Sequence, residues 1–181
     1  MTGAGDADAL LVRRCRNGDR AAFEELVVRY QKPVFNVALR LLRDPDDARD
    51  VAQTTFLKAF EHLDDYDPSF KFYSWLYRIA INESLTMRSA RRPAEEVSDE
   101  EADESAGPER RVEGEETRQA IEDALMRIKP ELQAVVVLRH FMHFSYQDMS
   151  QILQVPEKTV KSRLYSARQL LRERLLQHVT S

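Results

Sequence analysis

Residues 145–168, SYQDMSQILQVPEKTVKSRLYSAR, have the pattern of a helix-turn-helix. Ser145 is a favourable N-cap for a short helix over 146–153, and the Gln-Val-Pro sequence at 154–156 ends that helix. A second, basic helix then begins at Glu157. A short helix, a tight turn and a basic second helix are the components of the motif. The stretch therefore predicts a helical domain that can place its second helix in the major groove of DNA.

The second helix divides its residues between an apolar face and a polar face. Val160, Leu164 and Ala167 recur at helical spacing, so we expect them to face the domain core. The remaining surface carries cations and hydroxyl groups that can contact base edges or phosphates. These candidate DNA contacts are Lys158, Thr159, Lys161, Ser162, Arg163, Tyr165 and Ser166. On the pattern alone, an ordinary helical hairpin with a solvated basic face explains the stretch equally well.

The charge of the chain is unevenly distributed, although its net value is only −4. Residues 93–116 contain 11 acidic and 2 basic residues and almost no large apolar ones. Such a segment cannot bury enough surface to offset its ordering entropy, so we predict an acidic, flexible, disordered linker. Residues 117–181 contain 10 basic and 6 acidic residues, which favours nucleic-acid contact by that part of the chain.

Residues 1–92 predict a separate helical domain. Asp19, after Gly18, and Asp44, before Pro45, are expected N-caps of two helices. Pro33 interrupts the first of these, so we expect the helix to kink or restart there. No segment has the pattern of a strand. The expected fold is all-α, with two small helical domains over 1–92 and 117–181 joined by the linker.

An aromatic and basic segment, YDPSFKFYSWLYRIAIN, occupies residues 66–82. Bases freed from a duplex stack on aromatic rings, and cations follow the phosphate backbone. Phe72, Trp75 and Tyr77 fall on an apolar helical stripe, so we expect them in the core. The candidates for single-stranded DNA are Tyr66 and Phe70 for stacking, Lys71 and Arg78 as cations, and Asn82 for the edge of an extruded base.

The sequence contains no arrangement of catalytic residues, and we expect no cofactor or metal. Cys15 is the single cysteine, so an internal disulfide is excluded, which suits the cytoplasm. His140 and His143 could share a metal ion, but no third ligand lies nearby in the sequence. No apolar run approaches the roughly 18 residues that cross a bilayer, so we expect no direct membrane insertion.

Four runs together resemble extracytoplasmic-function (ECF) sigma factors of the sigma-70 family. Residues 46–60, DDARDVAQTTFLKAF, and residues 72–82, FYSWLYRIAIN, are similar to sigma regions 2.2 to 2.4. Residues 11–31 resemble the usual opening of the family. The run that begins IKPELQAVVVLRHF at Ile128 and continues through the helix-turn-helix resembles region 4.

The resemblance implies a protein that binds core RNA polymerase and directs promoter-specific initiation. Region 2 would dock on the coiled coil of the polymerase β′ subunit through Asp47, Asp50, Val51, Gln53, Thr54 and Phe56. It would also recognise and melt the minus-10 element through the single-stranded DNA candidates given above. The 158–166 face of region 4 would read the minus-35 element.

The resemblance also implies partners and location. Core polymerase would be contacted at the β′ coiled coil and the β flap, and an anti-sigma factor would hold the protein inactive until a stress or envelope signal arrives. The protein would lie in the cytoplasm, or at the membrane through a membrane-spanning anti-sigma factor. Two alternatives remain at this point: a repressor or activator that does not join polymerase, and a helical adaptor that binds another protein.

Overall fold

The computed structural model describes residues 4–91 and 113–179. Most of the predicted acidic linker therefore lies outside the described residues. Its last four positions, 113–116, are helical, because the first helix of the second module begins at Glu113. Within the described ranges the fold is all-α without strands, as the sequence predicted.

Four helices form the first module: α1 (Ala4–Arg16), α2 (Arg20–Leu42), α3 (Pro45–Glu61) and α4 (Phe72–Arg91). The two predicted caps are confirmed: the carboxylate of Asp19 accepts from the Ala22 amide, and that of Asp44 accepts from the amides of Asp46 and Asp47. Helix α2 continues through Pro33, so the predicted restart does not occur. Burial of Val34 and Val37 in the core beyond the proline holds the helix in register.

The segment between α3 and α4 is folded back against the core. A 3₁₀ turn over Leu63–Asp65 reverses the chain, and the guanidinium of Arg16 donates to the carbonyl oxygens of Leu63 and Asp64 at 2.8 and 3.1 Å. Arg16 also donates to the Tyr66 carbonyl. The loop that precedes α4 is thus fixed to the end of α1 by one side chain.

Tyr66 is a core residue, and the expectation that its ring is available for stacking on DNA is wrong. It is 3% exposed, and its ring centroid lies 5.6 Å from that of Phe72 and 5.5 Å from that of Trp75. Its hydroxyl donates to the Phe70 carbonyl. The predicted core positions of Phe72, Trp75 and Tyr77 are confirmed. Phe70, in contrast, remains 50% exposed.

The second module contains α5 (Glu113–Met126), α6 (Pro130–Val136), α7 (Tyr146–Leu153) and α8 (Glu157–Val179). Helix α6 continues as a π-helical turn over Val137–Phe141. Helices α7 and α8 form the predicted helix-turn-helix, and Gln154 makes the turn between them in a left-handed conformation with φ 52°. Val160, Leu164 and Ala167 are buried, which confirms the predicted apolar face of α8.

The two modules pack against each other along α4. Phe144, just before α7, stacks on Tyr73 with a centroid separation of 5.5 Å and meets Tyr77 edge-on at 5.2 Å. Near the other end of α4, the buried Arg88 guanidinium donates to the side-chain oxygen of Gln133 and, at 2.7 Å, to the Met126 carbonyl. Helix α4 therefore belongs to the first module but touches the second near both of its ends.

Replacement of Tyr66 by alanine should destabilise the protein because it leaves a cavity among packed rings. We expect Tyr66→Ala to lower the free energy of unfolding by about 3–5 kcal/mol, and Tyr66→Phe by about 1 kcal/mol for the lost hydrogen bond. The measurement is urea unfolding followed by circular dichroism. Phe70→Ala is the control at an exposed ring and should change stability by less than about 0.5 kcal/mol. Equal stability of the Tyr66→Ala and Phe70→Ala proteins would contradict the core assignment.

Candidate nucleic-acid interface

The polar face of α8 is open to solvent. Lys158, Lys161, Ser162 and Ser166 are exposed, Tyr165 is 67% exposed, and Thr159 and Arg163 are half-buried. The Lys161 ammonium lies 3.9 Å from a carboxylate oxygen of Glu157 and 5.3 Å from the ring centroid of Tyr146. Since the apolar stripe of α8 anchors the helix on the opposite side, this face presents cations and hydroxyl groups as one surface.

The cap of α7 orients the helix-turn-helix. The Ser145 hydroxyl accepts from the Asp148 amide at 3.1 Å and donates to the Asp148 carboxylate at 2.6 Å. The carboxylate in turn faces the Ser145 amide at 3.4 Å, which completes a capping box. The box satisfies backbone donors at the start of α7 and fixes the direction in which the chain enters the motif.

The minus-10 candidates lie around a cavity at the start of α4. Phe70 and Arg78 line it together with the buried rings of Tyr66 and Trp75. Asn82 is exposed one helical turn beyond Arg78, outside the residues that line the cavity. The structure therefore brings Phe70 and Arg78 to one cavity, whereas the exposed Lys71 and Asn82 are not among the residues that line it.

The second module covers part of this cavity. Gln151 and Gln154, from α7 and the turn that follows it, complete the lining. The Asp148 carboxylate accepts from the Lys71 ammonium at 3.0 Å and from the Tyr73 hydroxyl at 2.7 Å. The Ser74 hydroxyl donates to the side-chain oxygen of Gln151 at 3.4 Å. Lys71 is thus in contact with the helix-turn-helix of the same chain, and Phe70 and Arg78 share a cavity with it.

The Asp148 carboxylate is ionised at neutral pH. Its burial alone would raise the pKa, but the hydrogen bonds from Ser145, Tyr73 and Lys71 outweigh this effect and lower the pKa of Asp148 to about 2. The partial burial of the carboxylate, whose side chain is 13% exposed, limits its screening by solvent. Lys71 therefore has a permanent anionic partner in this arrangement.

The candidate polymerase surface on α3 is smaller than the sequence indicated. Asp50 and Gln53 are exposed, as predicted, and Thr54 and Phe56 are half-buried. Asp47 and Val51, which the resemblance places in the same docking set, are 6% and 1% exposed and are not accessible in this arrangement. They lie one turn apart on the side of α3 that faces the core, where the Asp47 carboxylate pairs with the Arg91 guanidinium.

The residues that join the two modules were not predicted from the sequence. Asp148 follows Ser145 by three positions, and this spacing is a recognisable capping-box signal that could have drawn attention to it. Tyr73 and Phe144 are 71 positions apart, and Arg88 and Gln133 are 45 positions apart. No local pattern relates such distant residues, so only the folded chain reveals these contacts.

The described residues contain neither a membrane-spanning helix nor a metal-binding cluster. No helix in the described part of the chain is both long enough and apolar enough to span a lipid bilayer. In the same ranges, no three His, Cys, Asp or Glu side chains are grouped in a way that could hold a metal ion.

Comparison with known proteins relates both modules to one family. Residues 26–93 match the family model for sigma-70 region 2, and residues 118–171 match that for sigma-70 region 4. The chain is 34% identical over 178 residues to the RNA polymerase sigma-H factor of Pseudomonas aeruginosa, which covers 92% of each protein. It is 35% identical over 176 residues to the ECF RNA polymerase sigma-E factor of Escherichia coli K12, covering 91% of this chain and 92% of the relative.

Solved structures show the same likeness. The structure of CnrH in complex with the cytosolic domain of CnrY gives a TM-score of 0.74 at 26% identity and covers 96% of this chain and 99% of the other. The sigma factor RpoE of Bartonella quintana, solved with the anti-sigma factor NepR, gives a TM-score of 0.65 at 26% identity over 84% of this chain and 96% of the other. The chain therefore belongs to the ECF sigma factors of the sigma-70 family, which direct transcription initiation and are not enzymes.

Proposed function

We propose that the two modules divide the work of promoter recognition on core RNA polymerase. The region 2 module, within residues 1–92, docks on the β′ coiled coil and captures the minus-10 element. The region 4 module, within residues 117–181, contacts the β flap and reads the minus-35 element. The observation that carries this assignment is the exposed polar face of α8 in an intact, capped helix-turn-helix. Membership of the sigma family favours this function over a stand-alone repressor or a helical adaptor.

The polymerase surface on α3 is supported by its exposure and by its place outside the interface between the modules. Asp50 and Gln53 present a carboxylate and an amide on one side of the helix, three positions apart. Thr54 and Phe56 flank them. Asp47 and Val51 lie on the buried side of α3. The Asp47 carboxylate pairs with the Arg91 guanidinium, and Val51 packs in the core.

The proposed minus-10 site uses an exposed ring, two cations and an amide. Phe70 offers a face on which a freed base can stack, and Lys71 and Arg78 can neutralise phosphates. Asn82 offers both a donor and an acceptor to one base edge. Tyr66 stabilises the loop that positions Phe70, and its buried ring forms part of the wall of the cavity.

An anti-sigma factor is the proposed regulator of this chain, in a response to envelope or other stress. Support comes from the solved relative RpoE, which was captured with the anti-sigma factor NepR and is similar to 84% of this chain. A partner that covers the α3 surface or the minus-10 site would prevent initiation. Such a factor that spans the membrane would hold this cytoplasmic protein at the membrane surface.

The α3 surface can be tested by binding to core polymerase. We expect Asp50→Ala combined with Gln53→Ala to weaken binding about tenfold or more, which corresponds to about 1.4 kcal/mol, without loss of helicity. Both side chains are exposed, so the fold should tolerate the change. The control is Glu61→Ala, at an exposed position near the end of α3. Unchanged affinity of the double variant, with the helical content intact, would remove this surface from the proposal.

The α8 face can be tested by promoter selection. Lys161→Ala and Ser162→Ala should each change the preferred minus-35 sequence, since a lost base contact costs about 1–3 kcal/mol. Arg172→Ala, at an exposed position about three turns further along α8, is the control and should keep the wild-type preference. The measurement is selection from a library with a randomised minus-35 element. The same selected consensus for wild type, both variants and the control would contradict the assignment.

Permanganate footprinting of open complexes can test the minus-10 site. Asn82→Ala should lose base preference at one minus-10 position, because the amide matches a single base edge. Phe70→Ala should weaken opening of all templates, since base–aromatic stacking contributes about 1–3 kcal/mol per base. Thr86→Ala, exposed one turn beyond Asn82, is the control and should behave as wild type. If Asn82→Ala ranks all single-base templates as the wild type does, the base is read elsewhere.

A further inference from the structure

Arg16, the last residue of α1, contacts the loop that precedes α4 through backbone carbonyl oxygens. Its Nη2 atom donates to the carbonyls of Leu63 at 2.8 Å and Asp64 at 3.1 Å, and also to that of Tyr66. Its Nε atom lies 3.2 Å from the Leu63 carbonyl oxygen, and the centre of the guanidinium lies 5.9 Å from the Tyr66 ring centroid. One side chain of α1 therefore holds a loop that lies 47 to 50 positions further along the chain.

This contact depends on the path of the loop backbone and hardly on any loop side chain. The carboxylate of Asp64 lies 3.8 Å from Nε and is 91% exposed, so this ion pair contributes little. The carbonyl oxygens, in contrast, lie at a 3₁₀ turn and its end, where the backbone dipoles favour a cation. The side chain of Arg16 is only 29% exposed, which strengthens its hydrogen bonds relative to those at a fully hydrated site. The guanidinium therefore fixes the loop backbone over 63–66.

The same loop forms a wall of the proposed minus-10 cavity. The loop residues that line this cavity are Asp65, Tyr66, Asp67 and Phe70. Two hydrogen bonds extend the order of the loop as far as Phe70: the Tyr66 hydroxyl donates to the Phe70 carbonyl, and the Phe70 amide donates to the Asp67 carbonyl at 3.1 Å. The exposed ring of Phe70 is thus connected to Arg16 by a continuous series of contacts.

We propose that Arg16 is a positioning residue for minus-10 recognition: it fixes the loop over 63–66 so that Phe70 already has the position in which a freed base can stack on it. A loop that is ordered before DNA arrives loses less conformational entropy on binding, and this raises affinity without a new contact to DNA. The inference rests on the proposed minus-10 site and extends it to α1, which contributes no side chain to the lining of the cavity.

A direct contact between Arg16 and a DNA phosphate would be a different role, and two substitutions separate the two roles. Arg16→Lys keeps the charge, but the lysine ammonium ends one bond short of the Nη2 position and lacks the planar fork of donors. Arg13→Ala removes the same charge from an exposed position about one turn earlier on α1. A phosphate contact needs only the charge, whereas positioning needs the reach and the geometry of arginine.

The first test measures promoter opening by holoenzymes that carry full-length variants, on a promoter that the wild type opens. We expect Arg16→Ala and Arg16→Lys each to lower the equilibrium constant for opening about tenfold, since hydrogen bonds from a charged donor are lost. Arg13→Ala should change opening less than about twofold, and none of the three should change affinity for core polymerase or the selected minus-35 sequence. Wild-type opening by either Arg16 variant, or an equal loss in Arg13→Ala, would overturn the positioning role.

Combination with Phe70→Ala tests whether Arg16 acts through that ring. In the Phe70→Ala chain, Arg16→Ala should lower opening by less than a further factor of about two, because no ring is left to position. Additive losses would overturn this inference alone. Wild-type opening by Phe70→Ala itself would contradict the proposed minus-10 site and the inference with it, so the two failures are distinguishable.

The order of the loop can be measured without DNA by amide hydrogen exchange in the full-length chain. In the wild type the Phe70 amide donates to the Asp67 carbonyl at 3.1 Å, so it should be protected. We expect exchange in a peptide that covers 62–71 to be about tenfold faster in Arg16→Ala, while peptides from α2 and α4 keep their protection. Arg13→Ala should match the wild type throughout. Faster exchange in all helices would indicate a general loss of stability and, like unchanged exchange in the loop, would overturn the proposal.

Discussion

The buried guanidinium of Arg88 is the interaction on which the arrangement of the two modules depends. Arg88 is 7% exposed, and a buried cation is stable only when its donors are satisfied. Its acceptors include the Gln133 side chain and the Met126 carbonyl at the end of α5, where unpaired helix carbonyls favour a cation. Gln133, itself fully buried, donates back to the Arg40 carbonyl at 3.1 Å. In this arrangement each module supplies hydrogen-bond partners for a polar side chain that the other buries.

The rest of the interface follows the course of α4. Arg88 lies near the end of α4, and the start of the same helix lies against α7 and the residues just before it. There Phe144 contacts the rings of Tyr73 and Tyr77, and Asp148 forms an ion pair with Lys71. Interfaces rich in hydrogen bonds and ion pairs resemble transient protein–protein contacts more than a domain core. Arginine and glutamine are readily hydrated after separation. The same polar contacts that define one arrangement of the modules therefore allow it to be exchanged for another.

The proposed contact surfaces differ in their accessibility. The proposed polymerase contacts on α3 and the proposed minus-35 contacts on α8 lie outside the interface and are accessible in the closed arrangement. The proposed minus-10 contacts at Phe70, Lys71 and Arg78 lie at the interface. In this arrangement the second module therefore covers part of the proposed minus-10 surface and leaves the other two proposed surfaces accessible.

The sequence by itself determined the local structure and the family. Helical periodicity and capping residues such as Asp19, Asp44 and Ser145 act over a few positions, so the helices and the two faces of α8 were predictable. Tertiary structure decided which side chains are accessible. The sequence suggested that Tyr66 and Asp47 contact partners at the surface. In the folded chain Tyr66 follows a 3₁₀ turn and packs in an aromatic cluster, and the Asp47 carboxylate is buried against Arg91. The pairing of Lys71 with Asp148, 77 positions apart, has no local signal, because it depends on how the two modules pack against each other.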